Sequence, residues 1–133
     1  MSFDWAEYLT LARFLVGGGK IEITSSESRF RCAASRAYYA ALCQAAAYLS
    51  NIIGEAPPED YKFHEFVISY FRDAEERSWR RIGSRLEELR EYRRYADYNP
   101  TIGDWLKKAT ASITRCEQAI QDMEASFNGP PVL

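Results

Sequence analysis

The chain has 133 residues, of which 47% are apolar and 27% charged, and its formal net charge at pH 7 is -2. This length fits one domain, and the balance of charges excludes a nucleic-acid or membrane binder that works through bulk charge, although it allows local basic patches. No apolar run is long enough to span a bilayer, and the first residues lack the basic start of a signal peptide, so we expect a cytoplasmic protein.

The first predicted helix extends from about Ser2 to Val16. Its apolar residues recur at helical spacing and therefore share one face: Trp5, Tyr8, Leu9, Ala12 and Val16. Three consecutive glycines, Gly17 to Gly19, are predicted to end this helix, because glycine adopts the left-handed cap conformation at little cost.

The second predicted helix starts at Thr24-Ser25-Ser26-Glu27, which has the pattern of a capping box, and runs to about Ile52. Its apolar stripe is built from small residues, since eight alanines lie between Ala33 and Ala47. Small side chains allow neighbouring helices to approach closely. We therefore expect this helix to be the central one of a bundle.

Two more helices are predicted after the connection at Gly54 and Pro57-Pro58. The third carries apolar residues at helical spacing: Phe63, Phe66, Val67, Tyr70 and Phe71. The fourth runs from about Trp79 to Tyr98 and places three apolar residues on its inner face: Ile82, Leu86 and Leu89. The break between the two helices is predicted near Ala74 to Ser78.

The last predicted helix begins at Asn99-Pro100, because proline suits the first helical position. Its apolar residues alternate steps of four and three, which is the spacing of a packing seam: Ile102, Leu106, Ala109, Ile113, Cys116, Ile120, Met123 and Phe127. Residues 1–128 are thus predicted to form a single all-α domain, an antiparallel up-and-down four-helix bundle with one additional helix. Residues 129–133 are predicted to be a loose tail.

The cysteines and the single histidine do not match a metal site. Cys32, Cys43 and Cys116 are widely spaced and form no CxxC pair, so no recognisable zinc-ligand set is present. We interpret them as buried thiols and predict neither a metal nor a cofactor. His64 has no partner residue for catalysis at a recognisable spacing, which favours a surface or packing role.

One charged residue interrupts an apolar face. Arg93 takes the next step after Leu89 on the inner face of the fourth helix. Burying an unpaired guanidinium is costly, so Arg93 must be paired or must line a groove. The structural alternative is an i, i+4 ion pair with Asp97; the functional alternative is a groove shared with Tyr98.

The fourth helix is also rich in arginine. Eight arginines and six acids lie between Arg72 and Arg94. Interleaved charges of this kind are typical of a solvated, salt-bridged helix face. The alternative is a phosphate-facing patch in which three aromatic rings provide stacking surfaces: Trp79, Tyr92 and Tyr95.

Several segments together resemble the HEPN family, the small helical domains named for their occurrence in higher eukaryotes and prokaryotes with nucleotide-binding associations. The resemblance is carried by RCAASRAYYAALCQAAAYL on the second helix, by His64 at the start of the third, and by LREYRRYADY at the end of the fourth. The opening WAEYLTLARFL fits as well, so nearly the whole chain is covered.

The resemblance implies a helical bundle that often forms homodimers and acts in prokaryotic toxin–antitoxin or defence systems, frequently beside a small nucleotidyltransferase. Active members are RNases that need no metal and that use an arginine followed, after four to six residues, by a histidine. In this chain Arg93 matches the arginine, and Tyr98 stands where the histidine is expected. A phenol, with a pKa of about 10, is a poor base near neutral pH compared with an imidazole at about 6.5.

Three hypotheses follow. The first is a HEPN-like module that binds RNA, a nucleotide or a partner nucleotidyltransferase through a groove around Arg93 and Tyr98. The second is an active, metal-independent endoribonuclease toxin in which Tyr98 replaces the histidine, and the third is a purely structural adaptor. Five further residues are candidate binding residues of the groove: Arg36, Tyr39, His64, Arg94 and Asp97. A homodimer is predicted to form through the alanine-rich helix or the fourth helix.

Overall fold

A computed structural model describes residues 5–18, 26–54, 56–101 and 103–129. Within these ranges the chain is all-helical and contains no strand. The helices, numbered in chain order, are α1 (Glu7–Arg13), α2 (Ser26–Ile53), α3 (Phe63–Arg72), α4 (Arg77–Tyr98) and α5 (Trp105–Phe127). The all-α class that the apolar spacing predicts is therefore confirmed, as are the positions of the second, third and fourth helices within a few residues.

The alanine-rich helix α2 occupies the centre, where it packs against α1, α4 and α5. Its alanines are buried at this junction: Ala33, Ala34, Ala37, Ala40, Ala41, Ala45 and Ala46. Because these small side chains lie against helices of the same chain, they allow the close approach that the sequence indicates. They leave little of this face for contact with a second copy.

The start of the chain differs in part from the predicted first helix. Residues 1–4 lie outside the described ranges, and α1 begins at Glu7. The glycines do not end the helix where predicted, since it continues through a π-helical turn, Phe14–Gly18. Gly19 and the Thr24 and Ser25 positions of the predicted capping box are also outside the described residues.

The start of the last helix is a second correction. Asn99 and Pro100 lie outside any helix, and α5 begins only at Trp105, where the side chain of Asp104 accepts a hydrogen bond from the Lys107 amide at 3.2 Å. This aspartate cap stabilises the new helix start. Leu106 is 48% exposed and so does not belong to the packing seam, whereas Trp105 is buried. Ile102 is outside the described residues.

The other end of α5 is held against α2. Asn128 adopts a left-handed conformation that ends the helix, and the hydroxyl of Tyr48 donates a hydrogen bond of 2.5 Å to the carbonyl of Gly129. The predicted tail therefore starts with a residue that is fixed to α2. Residues 130–133 are outside the described ranges.

Helices α3 and α4 approach each other unusually closely at Gly83. A Cβ atom at this position would lie 2.3 Å from the backbone nitrogen of Arg72. Only glycine fits here, because real side chains do not tolerate such a distance. This contact fixes α3 against α4 and so helps to place the residues at the two ends of these helices.

The three cysteines are not all buried, so that prediction is wrong for two of them. Cys116 lies in the core, Cys43 is half-buried, and Cys32 is exposed. Burial raises the pKa of the Cys43 thiol to about 11 and that of Cys116 to about 12, which keeps both protonated near neutral pH. None of the described helices has the length and apolar character needed to cross a membrane.

Candidate functional site

A cleft of about 690 Å³ lies where α1, α2, α3 and the C-terminal end of α4 meet. Its floor is formed by small side chains on one face of α2: Ser28, Cys32 and Ser35. Trp5 and Tyr8 stand on the α1 side, and Arg93 and Asp97 stand on the α4 side. The cleft is open because the floor residues, spaced at four and three positions, are small.

Three tyrosines and two arginines alternate across this cleft. The guanidinium carbon Cζ of Arg36 lies 4.9 Å from the ring centroid of Tyr8 and 5.0 Å from that of Tyr39. The Cζ of Arg93 lies 5.5 Å from the same Tyr39 ring and 5.6 Å from that of Tyr98. We call these five residues the tyrosine–arginine ladder. Each guanidinium is held by cation–π contacts with two rings, which leave its N–H donors available for other partners.

The two ladder arginines have almost no acceptors for these donors. Within the described residues, Arg36 forms no hydrogen bond and no ion pair. In the same part of the chain, Arg93 has one acidic partner, since Oδ2 of Asp97 lies 2.7 Å from its Nε. The buried Nε–H is not aligned for a hydrogen bond, so this contact is ionic. The side chain of Arg93 is only 22% exposed, and the predicted i, i+4 pair is thus present but leaves both Nη groups open.

A third arginine of the cleft, Arg31, is fully engaged. Its Nη atoms donate to the carbonyls of Ala96, Asn99 and Thr101 at 3.1, 2.5 and 2.8 Å. Its Nε donates to Glu27 at 3.2 Å, and its guanidinium lies over the ring of Trp105. Arg31 therefore ties the loop between α4 and α5 to α2.

The hydrogen bonds of Arg31 also fix part of the cleft. The carbonyls that Arg31 binds belong to the last turn of α4 and to the loop after it, where unpaired carbonyls concentrate. Holding them fixes the end of α4, the same turn that carries Asp97 and Tyr98. The sequence does not indicate this role of Arg31, because its partners are about 65 to 70 residues away in the chain.

His64 occupies a packing position beside the ladder. Its Nδ1 lies 2.6 Å from the hydroxyl of Tyr38, which is fully buried, and its ring meets Tyr39 edge-on at 5.7 Å between centroids. Burial raises the pKa of the Tyr38 phenol, so the phenol stays protonated and donates to Nδ1. Burial and the charges of Arg93 and Arg90 lower the pKa of His64. The imidazole supports Tyr39 but does not line the cleft.

Two other candidate residues lie at or beyond the edge of the cleft. Tyr98 is 72% exposed and is not a lining residue, although its ring contacts Arg93 at the end of the ladder. Arg94 is exposed and pairs with Glu91 at 3.2 Å on the outer side of α4. The phenol that lies inside the cleft beside Arg93 is Tyr39.

The remaining arginines of α3 and α4 largely form the salt-bridged face that their interleaved charges indicate. Arg85 pairs with Asp122 at 3.0 Å, and Arg90 pairs with Glu65 at 3.0 Å. The three proposed stacking rings do not form one surface. Trp79 packs against aromatic residues of the core, whereas Tyr92 and Tyr95 line a separate concavity beside Lys108.

The sequence pattern did not indicate that Trp5 and Tyr8 form a wall of the cleft. It also did not indicate that small residues form the floor. One signal was available: Ser28, Cys32, Ser35 and Tyr39 follow each other at steps of four, three and four. Such a run of small residues on one helix face ends at an aromatic ring and predicts an open surface there. Which helix forms the opposite wall depends on packing and is not visible in the sequence.

The fold and the site define a class: an all-α protein with an arginine- and tyrosine-lined cleft. Comparisons with protein-family models, with curated proteins and with solved structures find no match. The function of this chain is therefore inferred from the geometry of the cleft. Among the described residues, no group of three or more His, Cys, Asp or Glu side chains is placed to hold a metal ion.

Proposed function

We propose that this chain is a HEPN-like module of a prokaryotic toxin–antitoxin or defence system, and that its cleft binds RNA or a nucleotide through the tyrosine–arginine ladder. One observation carries the proposal. Arg36 and Arg93 are partly buried, and apart from the ion pair between Asp97 and Nε of Arg93, no residue of the described ranges provides an acceptor for their Nη groups. A guanidinium removed from water without acceptors is costly unless a ligand provides them.

Phosphate is the anion that suits these donors. A guanidinium presents its N–H groups in a planar fork that binds phosphate oxygens in pairs, and cation–π contacts fix the orientation of the fork in advance. The cleft also offers an aromatic surface, since Trp5 lies on its wall. Stacking of a base on an aromatic ring adds affinity without requiring a particular sequence.

The same geometry favours binding over cleavage. The described lining of the cleft contains no imidazole, and Nδ1 of His64 is engaged by Tyr38. Tyr98, the residue in the histidine position of the resemblance, is largely exposed and stacks on Arg93. Phenols are in general poorer proton acceptors near neutral pH than imidazoles. We therefore expect no more than slow cleavage, and the endoribonuclease alternative has less support.

The up-and-down arrangement of four helices with one addition belongs to this HEPN-like proposal, as do a homodimer and a nucleotidyltransferase partner. The burial of the α2 alanines within the chain favours the outer face of α4 over α2 as the dimer contact. A purely structural adaptor, the third alternative, offers no reason for two partly buried arginines whose Nη groups lack acceptors in the described ranges.

Binding of a fluorescently labelled single-stranded RNA of about 12 nucleotides, followed by anisotropy at roughly 50 mM salt, tests the proposal. Arg36→Gln and Arg93→Gln should each weaken binding about tenfold, the loss of one charge-assisted phosphate contact. Arg81→Gln is the matched control, because Arg81 is an exposed residue of α4 without an ion pair in the described chain. It should change the affinity less than about twofold.

Two results would overturn the proposal. The first is the absence of RNA and nucleotide binding by the unmodified protein. The second is an equal loss for Arg81→Gln and the two ladder variants, which would mean that diffuse charge and not the cleft binds the RNA. Circular dichroism of each variant shows whether its helices are intact.

A further inference from the structure

The length of the cleft indicates the size of the ligand that it can bind. Its α2 wall extends from Ser28 to Cys43. At a rise of about 1.5 Å per residue this distance is roughly 22 Å. Successive phosphates of a strand are about 3.4 Å apart along the axis when its bases are stacked, and farther apart when the strand is extended, so a groove of this length accepts a few nucleotides of an extended strand.

The ladder arginines lie near the middle of this groove. Arg36 projects from the centre of the α2 wall, and Arg93 reaches the same Tyr39 ring from α4. Each guanidinium has its own open donors, and the two come from different helices. One carboxylate, that of Asp97, faces them in the cleft. The described lining therefore contains more positive than negative charge at this point, with two separate positions for an anionic group.

We infer that the groove binds an extended single strand of nucleic acid, with two phosphates held by Arg36 and Arg93 and an unpaired base stacked on Trp5. This inference rests on the proposed function and makes its ligand specific: an oligonucleotide of several residues, not a nucleoside monophosphate. A duplex is excluded as the ligand, because its bases are stacked on each other and do not reach Trp5.

The first test uses the unmodified protein and needs no variant. Affinity is measured for UMP and for oligouridylates of increasing length, with single-stranded oligothymidylate and an RNA duplex as further ligands. Affinity should rise with length up to about 4 nucleotides or more and then level off, which is the range of site sizes for single-strand binding domains. The duplex should bind more weakly than a single strand of the same length.

The second test counts the phosphate contacts. The slope of log K against log salt for a single strand is about -0.7 per phosphate neutralised, so two contacts predict about -1.4. Arg36→Gln and Arg93→Gln should each reduce the magnitude of this slope by about 0.7, and the double variant should bring it close to zero. Arg81→Gln should leave the slope unchanged.

A third readout follows the base. Binding should quench the fluorescence of Trp5, which lines the cleft, whereas Trp105 is buried away from solvent. Trp5→Phe should remove the quenching while keeping most of the affinity. No quenching in the unmodified protein would contradict the assignment of the stacked base.

The outcomes separate this inference from the proposed function. If UMP binds as tightly as the longer strands, or if only one of the two arginine variants changes the slope, the cleft is a mononucleotide site; the inference then fails and the proposed function stands. If neither UMP nor any strand binds, both fail. If the duplex binds as tightly as the single strand, the inference fails.

Discussion

Arginines of two kinds lie close together in this molecule. Arg72, Arg85 and Arg90, which we call the paired arginines, connect helices to one another: Arg85 in α4 bonds Asp122 and Gln118 in α5, at 3.0 and 2.7 Å. Arg72 and Arg90 share Glu65 and Glu87 between α3 and α4. The ladder arginines, Arg36 and Arg93, contact tyrosine rings and have open N–H donors.

The difference shows that the fold, not the residue type, decides what an arginine does. A paired arginine donates hydrogen bonds to acceptors on another helix of its own chain, so its removal affects stability. A ladder arginine is oriented by tyrosine rings and has Nη groups without acceptors in the described chain, so its removal affects a ligand. The pKa of Glu65 is lowered by its hydrogen bonds to Arg90 and Arg72, as expected for a carboxylate that binds arginines in the folded chain.

The largest expected effect comes from breaking the close contact between α3 and α4, the helices that carry Arg72 and Arg90. Gly83→Ala places a methyl group against the backbone of Arg72 and forces α3 away from α4. We expect the free energy of unfolding to fall by about 3 kcal/mol, even though alanine favours a helix by about 1 kcal/mol. Urea unfolding followed by circular dichroism measures this change.

Ser84→Ala is the control for that experiment, since Ser84 is the next residue of α4 and is exposed. It should be neutral or stabilise the protein by up to about 0.5 kcal/mol. A Gly83→Ala protein as stable as the Ser84→Ala protein would mean that α3 and α4 do not approach as closely as described.

Arg31 sharpens the comparison, because it lines the cleft and yet behaves as a paired arginine. Arg31→Gln leaves carbonyls at the end of α4 and in the following loop without their donor. We expect a loss of about 2 kcal/mol in unfolding free energy. Arg31→Lys should restore less than half of it, since an ammonium cannot span the three carbonyls. Equal stability of the lysine variant and the unmodified protein in urea would argue against a clamp.

Asp97 tests whether the ladder is an anion site. Asp97→Asn removes the carboxylate beside Arg93 and with it the repulsion of a bound phosphate. Affinity for single-stranded RNA should rise about threefold, equivalent to roughly 0.65 kcal/mol. Weaker binding by this variant would show that the carboxylate contacts the ligand directly or positions Arg93 for it.

The last effect concerns His64 and pH. The folded protein holds the pKa of His64 below its ordinary value, so the unfolded chain takes up a proton at a higher pH than the folded one. The free energy of unfolding should therefore fall as the pH drops below about 6.5, by no more than about 1.4 kcal/mol per pH unit. Burial raises the pKa of the neighbouring Tyr38, so its phenol does not titrate in this range.

The matched variant is His64→Gln, whose amide oxygen can still accept the hydrogen bond of Tyr38. Chemical unfolding at a series of pH values should give a shallower dependence between pH 5 and 7 for this variant. The same dependence in both proteins would assign the effect to other groups.

The sequence predicted helices well where one face of a helix decides its position. The alanines of α2 and the apolar residues of α4 repeat at helical spacing, and both sets are buried. The start of α5 was missed because Pro100 suggested a helix, whereas the Asp104 cap and the burial of Trp105 decide where it begins. The Asp104 cap and the burial of Trp105 both depend on the loop that Arg31 binds. The sequence does not show such a contact between distant parts of the chain.

Part of the candidate site could be named from the sequence, and part depends on how the helices pack. Arg93 stood out because it interrupts an apolar face, and its neighbours Asp97 and Tyr98 follow from helical spacing. The contact between Arg36 and Tyr8 was out of reach, because it requires α1 to pack beside α2 in one particular way. Tyr39 was a candidate, but only the fold shows that both ladder arginines contact its ring.

The central claim is that the Nη groups of Arg36 and Arg93 lack acceptors in the described part of the chain, whereas Arg85 and Arg90 donate to acceptors on a neighbouring helix. Side-chain ¹⁵N NMR of the guanidinium groups tests it directly during titration with a single-stranded RNA. The resonances of Arg36 and Arg93 should shift as RNA is added, while those of Arg85 and Arg90 stay in place. Shifts confined to Arg85 and Arg90, or spread equally over all four, would contradict the account.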